Sequence, residues 1–554
     1  MNPSWADPIL SCAEAKALEA RQLLGEEERE WAAMQCAGAG VAGSVLDDFK
    51  EIGGFPADGR ILVLAGKGHN GGDALLAATA ILAAHPAASA DVVFPMGERT
   101  LRPLAARAWR QVLQSAPDRV RVLPVAASAS GSTAYDLCLD GIFGFQFRPP
   151  VDPATADVLR AVNAHPGIRL RAAVDLPSGV GERVGEVAFR ADFAYATGSV
   201  KAPLLEERFR GVVGRLRYVD LGFFAQPACT GPGPKTSAAP PPAAVRDWVL
   251  KPSILAPLTT LRATGSDKRS FGHLFFVGGS RSYPGAALMC ARAALRSGAG
   301  LVTAFVPESL VPAFAAGAPE AIWVGWPETP EGGLALEGLH LLRERLARAT
   351  ALVMGCGLGP EPEVRTLAEE IVKLAEVPVV LDADALQPSV LAAAAGKRVI
   401  CLPHAGEFKR LAGGREATAA VLRAVAKETG ATIVLKGSVT RIGDGDHVYH
   451  SLAGGPVLAR GGSGDLLAGL VGGLIAQAAA DRLPTLPGSA PVAAERLPVP
   501  PQRESMSTPV LAACRGVVWH GMAADLLARD RGQVAVTATQ LLDYLPAALR
   551  ASSR

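Results

Sequence analysis

The chain has 554 residues, 49% hydrophobic and 19% charged, which is enough apolar surface for large buried cores and too much for a disordered chain. Lys+Arg 55 against Asp+Glu 53 leaves a net charge of +2, so no basic excess points to nucleic acid or to an anionic membrane. At ~150 residues per domain the length suggests two to four domains, and 60 glycines suit a backbone that comes close to ligands.

The first residues, MNPSWADPIL, show no basic stretch followed by an apolar one, so no signal peptide is expected. The longest apolar run, Leu466–Ala480, is broken by Gln477 and is short for a bilayer span. Cysteines at 12, 36, 138, 229, 290, 356, 401 and 514 form no CxxC pair. That excludes the usual zinc and disulfide frameworks and predicts reduced thiols in the cytoplasm.

In chain order, Arg60–Ala65, Ala90–Phe94, Tyr135–Asp140, Leu170–Asp175, Phe193–Thr197 and Leu216–Asp220 read as strands between alanine-rich helical stretches. Six prolines in residues 227–242 exclude a helix interior or a central strand. A linker at 227–243 is therefore expected between a first domain, 1–226, and a second, 244–554. Further strands are predicted at His273–Gly278, Leu301–Phe305, Ala351–Gly355, Val377–Asp382, Arg398–Leu402 and Thr432–Lys436. The segment Leu483–Pro509 interrupts helical sequence and reads as a surface insertion. Strands alternating with helices predict an α/β fold: parallel sheets covered on both faces, with ligands at the carboxyl ends of the strands.

The first strand runs into Gly66-Lys67-Gly68-His69-Asn70-Gly71-Gly72-Asp73 and then an apolar helix, Ala74–Ala84. Glycines at such a turn let backbone N–H groups approach a phosphate at a helix N-terminus. The bland alternative is a tight turn with Asp73 as helix cap. Asp140, Asp175 with Ser178, and Lys201 stand at further strand ends. Each carboxylate there suits a general base, a cation ligand or a cap, and the oxygen-only set favours K⁺, Mg²⁺ or Ca²⁺ over zinc.

The motifs GKGHNGGD, DGIFG and VDLPSG, in this order, resemble the NAD(P)H-hydrate epimerase domain over about residues 10–225. The resemblance implies a Rossmann-like three-layer sandwich. In it His69, Asn70, Gly71, Gly72 and Asp73, with Gly144, Phe145, Gln146, Phe147 and Arg148, bind the hydrated nicotinamide nucleotide. It further implies K⁺ held by Asn70, Asp140 and Ser178, and Asp175 as the substrate-binding acid–base group. His69 and Ala74 depart from the family's usual Asn and Gly, and residues 145–148 replace its small-residue turn.

In the second half, Gly461-Gly462-Ser463-Gly464-Asp465 opens the helix Leu466–Ala476. Consecutive N–H groups there form an anion hole, and an adjacent Asp can take a proton from an attacking hydroxyl. The alternative is an Asp in an ordinary first turn. Glycine-rich or polar strand ends recur at 354–359, 382–384, 403–407 and 435–440. A lone histidine is usually structural or solvated, but His404 stands beside Glu407 at a strand end.

FGHLFFVGGS, GCGLG, LDADAL, PHAGEF, VLKGSVT and GGSGDLLAG resemble the ADP/ATP-dependent NAD(P)H-hydrate dehydratase of the ribokinase-like group, over about residues 246–548. The resemblance implies that Lys436, Gly437, Ser438, Val439, Thr440 and Gly464 contact the adenine nucleotide. Ala286, Gly357, His404 and Asp465 would contact the hydrated cofactor, with Asp465 as catalytic base and Mg²⁺ on the phosphates. Cys356, Ser463 and Ala405 depart from the family's usual Pro, Thr and Pro.

Together the resemblances predict a two-enzyme repair protein that interconverts R and S NAD(P)H hydrates and dehydrates the S form with ADP or ATP, fused members generally using ADP. They imply a cytoplasmic homo-oligomer acting on small molecules. Two other readings stay open: a small-molecule kinase with a stable phosphorylated product, and a first half that only binds nucleotide.

Overall fold

A computed structural model describes residues 4–125, 133–183, 185–224, 245–480 and 508–552. The predicted linker and nearly all of the predicted insertion lie outside the described residues. The helix Thr508–Arg531 takes in the last two insertion positions. The described residues divide into two compact units. One lies between Asp7 and Val245 with Ala528–Gln533; the other takes Arg246–Leu527 and Val534–Arg554.

The first unit is built on strands β1 (Arg60–Ala65), β2 (Ser89–Val93), β3 (Val120–Val122), β4 (Tyr135–Gly141), β5 (Ile168–Val174), β6 (Phe193–Thr197) and β7 (Arg215–Val219). Their order is β3-β2-β1-β4-β5-β6-β7, parallel throughout. Because side chains alternate along a strand, Ile61, Val63, Leu137, Leu139, Leu170 and Ala172 share one face. That face packs on helices Glu27–Phe49, His69–Ala84 and Pro103–Ser115 through Trp31, Met34, Leu75, Ile81, Trp109 and Val112. Leu62, Leu64, Cys138 and Ala173, on the opposite face, are also fully buried, as expected of strands covered on both sides.

The second unit contains β8 (Asp247–Leu250), β9 (His273–Val277), β10 (Leu301–Pro307), β11 (Ile322–Trp326), β12 (Ala351–Met354), β13 (Val379–Leu381), β14 (Val399–Cys401), β15 (Thr432–Leu435), β16 (Thr440–Gly443) and β17 (Val448–Ser451). The order runs β8-β17-β16-β15-β14-β13-β12-β9-β10-β11. This sheet is not wholly parallel, which corrects the expectation from sequence: β15, β16 and β17 pair antiparallel. The strands β3, β8, β16 and β17 are short, and their alternation is too brief to register as a pattern.

Two helices, Ser463–Ala480 and Thr508–Arg531, are long and apolar enough by length and composition to cross a membrane. Both are mostly buried within the protein. Leu466–Ala476 is buried on every side, the pattern of a core helix.

Candidate active sites

In the first unit, β1 delivers the chain to Gly66, where an added Cβ would fall 2.0 Å from the Ile142 carbonyl oxygen. Only glycine allows that approach of two backbones. The helix begins at His69, five residues earlier than the sequence pattern predicts, so Asn70, Gly71, Gly72 and Asp73 lie in its first turns. Gly68 is the N-cap, and Asp73 therefore caps nothing. His69 projects toward solvent, its Nε2 3.5 Å from Glu30.

Asn70 Nδ2 donates to the Phe143 carbonyl at 2.9 Å, which leaves its Oδ1 uncommitted beside Gly144. Asp140 is fully buried at the end of β4. It accepts from the Ser178 backbone N–H and hydroxyl, both at 2.7 Å, and from the Ile142 N–H at 3.3 Å. Burial pushes its carboxyl up to about 6 against those donors. The Ser178 hydroxyl in turn accepts from the Phe143 N–H at 2.8 Å. The fold thus gathers Asn70, Asp140 and Ser178 around one turn, as a set of oxygen donors suited to a hard cation. Of the residues after this turn, Phe145 and Phe147 are half-buried, while Gln146 and Arg148 are exposed.

Asp175 follows β5 in a left-handed conformation, φ 64°, which is uncommon outside glycine and gathers at functional sites. Its Oδ1 accepts from Lys201 Nζ at 2.5 Å, and Lys201 also donates to the Thr197 carbonyl at 2.8 Å. Lys201 is fully buried, with the Phe145 ring 5.1 Å from its ammonium. Asp73 is buried nearby with Oδ1 unpartnered. Burial first, then the Asp175 and Glu19 carboxylates, hold its proton on well above the usual range, against the opposing pull of Lys201. Burial lifts Glu19 to about 7. Sequence reading placed Lys201 at a strand end without a role and did not find Glu19. No local motif marks a helix glutamate whose partners Asp73, Asp175 and Lys201 lie 54 or more positions away.

In the second unit, the turn before the helix Ser463–Ala480 passes through Gly462 at φ 93°, where an added Cβ would meet Met289 sulfur at 2.5 Å. Ser463, Gly464 and Asp465 form the first helical turn. Burial and the neighbouring Asp382 carboxylate push Asp465 up to about 6, against the Cys356 thiol and Lys436. Lys436 Nζ donates to Asp382 Oδ1 at 2.8 Å. A Cβ on Gly464 would lie 3.4 Å from that ammonium, so the first turn of the helix lies against it. His520, buried on Thr508–Arg531, hydrogen-bonds the Ser463 backbone and is pushed down to about 4 by burial. It was not found from sequence.

Gly437, Ser438 and Val439 form the turn of the β15–β16 hairpin, the first two exposed and Val439 half-buried, with Thr440 opening β16. Gly357, φ 71°, packs against Ala286: an added Cβ would lie 3.0 Å from the Ala286 methyl group. His404 caps the helix Ala405–Leu411, its Nδ1 accepting from the Gly406 and Glu407 N–H groups at 3.0 and 3.3 Å. It also borders a cavity of about 310 Å³ with Gly359, Asp384, Gln387 and Glu407. The bland and the functional readings of His404 are therefore compatible, since capping uses Nδ1 and leaves Nε2 facing outward toward Glu407 at 3.4 Å.

Each unit thus presents a buried carboxyl near a glycine-bounded helix N-terminus at the carboxyl edge of an α/β sheet, the arrangement of nucleotide-handling enzymes. Residues 274–547 match the family model described as NAD(P)H-hydrate dehydratase, and residues 31–204 match the one described as YjeF-related protein N-terminus. The chain is 32% identical to the bifunctional NAD(P)H-hydrate repair enzyme Nnr of Moorella thermoacetica, covering 93% of this chain and 92% of the relative. It is 35% identical to the enzyme of the same name from Gloeobacter violaceus, covering 86% and 90%. A solved ADP/ATP-dependent NAD(P)H-hydrate dehydratase from Bacillus subtilis aligns at 25% identity and TM-score 0.42, over 54% of this chain and 96% of that one. The chain belongs to the family of bifunctional NAD(P)H-hydrate repair enzymes.

Proposed function

We propose that the first unit epimerises R and S NAD(P)H hydrates and that the second dehydrates the S form with ADP or ATP. The domain limits 1–226 and 244–554 go with this reading. The observation that carries it is the second site: a carboxyl, Asp465, in the first turn of a glycine-opened helix, beside the Lys436–Asp382 ion pair. A group with its proton affinity near 6 is poised to take a proton from a hydroxyl at neutral pH.

Asp465 accepts the ring-hydroxyl proton, and the oxygen attacks the terminal phosphoryl group of the nucleotide, breaking its bridging P–O bond and releasing AMP from ADP or ADP from ATP. The 461–464 N–H groups and Lys436 stabilise the charge that develops there. The C–O bond then breaks as the ring nitrogen donates its electrons, phosphate leaves, and the neighbouring ring carbon loses a proton to complete the double bond. Mg²⁺ bound with the nucleotide would supply the charge that neutralises its phosphates. The hairpin turn 437–440 and Gly464 face the nucleotide, while Ala286, Gly357 and His404 border the hydrated ring.

In the first unit Asp73 holds the proton that leaves with the ring hydroxyl as water, and re-addition to the other face of the planar iminium returns it. Asp175, ion-paired with Lys201, binds the ring and shares this acid–base work with Asp73. Residues 69–73 and 144–148 hold the nucleotide. Asn70, Asp140 and Ser178 fit K⁺, which would brace the turn at Phe143. The seven described cysteines are free thiols, which suits a reducing cytoplasm. Homo-oligomerisation rests on the family resemblance.

The test uses mixed R and S NADPH hydrates with Mg²⁺, K⁺ and ADP or ATP, following the reduced-nicotinamide absorbance and separating the epimers. Both epimers should be recovered by the wild type. Asp465→Asn should recover neither, and Asp175→Asn should recover S promptly and R slowly. Recovery of S alone by the wild type would reduce the first unit to a binding module. No recovery with either nucleotide would leave a kinase with a stable phosphorylated product.

A further inference from the structure

We propose that Asp382 is a positioning residue of the phosphoryl-transfer site, one oxygen anchoring Lys436 under the anion hole and the other facing Asp465. The inference rests on the reading of Asp465 as the base.

The backbone singles this residue out. Asp382 ends β13 and is followed by Ala383 in a left-handed conformation, φ 48°, disfavoured for any residue with a side chain. On its other side Gly355 comes so close that an added Cβ would fall 1.8 Å from the Asp382 carbonyl oxygen. Asp382 stands at the N-cap of the short turn Ala383–Ala385, yet its side chain makes no capping bond. The ordinary explanation for an aspartate at a strand end is therefore absent.

Its carboxylate is turned inward and is 2% exposed. Oδ1 accepts from Lys436 at 2.8 Å, and Oδ2 lies 4.0 Å from the Cys356 thiol. One ligand atom each of Asp382, Asp465 and Cys356 lie within 4.8 Å of one another. Two carboxylates this close share the field of one ammonium. Held on Asp382, Lys436 stays short of Asp465 and in reach of a phosphate above Gly464. Released, it would fall onto Asp465 and weaken the base.

The charged and titratable groups around Asp465 come from several elements. Asp382 ends β13, Lys436 follows β15, and Cys356 follows β12. Cys290 lies on Pro284–Arg296, its thiol in a hydrogen bond with that of Cys356. Glu407, on Ala405–Leu411, acts on Lys436 and feels Asp382, while His520, on Thr508–Arg531, feels Lys436. Removing the Asp382 charge lowers the proton affinity of Asp465 directly, and again by freeing Lys436. Removing Lys436 raises it. The two substitutions therefore move the acid limb of the rate in opposite directions.

The experiment measures S-hydrate dehydration by the full-length chain with Mg²⁺ and ADP across pH, for wild type, Asp382→Asn, Asp382→Glu and Lys436→Met. Asp382→Asn should move the acid limb down by about one pH unit, raise KM for ADP and lower the plateau, with partial rescue by Asp382→Glu. Lys436→Met should move the limb up. An Asp382→Asn enzyme that is only less heat-stable, with the wild-type limb and KM, overturns the proposal. If that variant does not fold, an unmoved limb in Lys436→Met overturns it instead. Failure of the base assignment is seen separately, as an Asp465→Asn enzyme that keeps its rate.

Discussion

Lys201 and Asp175 form an ion pair at 2.5 Å in which both side chains are buried, 1% and 6% exposed. Such a pair is costly to desolvate, and removing one partner leaves the other charge buried alone. We expect Lys201→Met to destabilise the first unit by about 3–5 kcal/mol and to reduce R-to-S conversion by at least ~100-fold. S-hydrate dehydration should be unchanged. Thermal unfolding and separate assays of the two epimers check this; an R-epimer rate near wild type would show that the pair has only a structural role.

The rate of dehydration should fall on acidification with a midpoint near the value of about 6 held by Asp465. The base works ionised, so activity is present above that pH and is lost below it. Stability runs the other way. A carboxyl whose proton affinity is raised on folding, here from 3.8 to about 6, binds more protons folded than unfolded. Its contribution is most favourable below 3.8 and is lost as pH rises through about 6. Asp465→Asn should therefore abolish activity while raising stability at pH 7 by something on the order of 1 kcal/mol. Denaturant titration at two pH values, paired with initial rates, separates the two effects.

Ser178 is the link between Asp140 and the Phe143 turn. Its hydroxyl donates to Asp140 and accepts from Phe143. Ser178→Ala should cost about 1–3 kcal/mol in the first unit, because a buried acceptor and a donor both lose a partner. Epimerisation by the wild type should drop when K⁺ is replaced by tetramethylammonium, and Ser178→Ala should lose that dependence. Equal epimerase rates in both salts would remove K⁺ from the site.

Gly66→Ala sets a methyl group 2.0 Å from the Ile142 carbonyl oxygen, and both groups belong to backbone that no rotamer change can relieve. The strand end and the helix start must separate, at a cost of about 1–3 kcal/mol or more. Epimerase activity should be lost with the dehydratase intact. Limited proteolysis of the first unit and the R-epimer assay report the outcome.

The strand cores were legible because β-branched runs between alanine-rich helices carry their pattern within a few residues. The observed limits differ from the predicted ones by one or two positions at most strands, as at β5 and β13. The antiparallel turn into β16 and β17 was not legible, since four-residue strands such as Thr440–Gly443 and Val448–Ser451 leave no periodic trace. The glycine-bounded turns were legible, yet the helix there starts at His69, so that His69–Asp73, read as loop, belong to it, the Gly72 N–H already bonding the Gly68 carbonyl.

By itself, the sequence determined that this is an α/β protein of two parts. It also marked the strand ends where the fold gathers glycines and carboxyls, because glycine and aspartate spacing at a strand-to-helix turn is a local constraint of backbone geometry. Only the tertiary structure decided which carboxyls act together. Asp175 meets Lys201 across 26 positions and Asp382 meets Lys436 across 54. Charge coupling depends on distance in space and on the low dielectric of a buried site, and neither is written into the order of the residues.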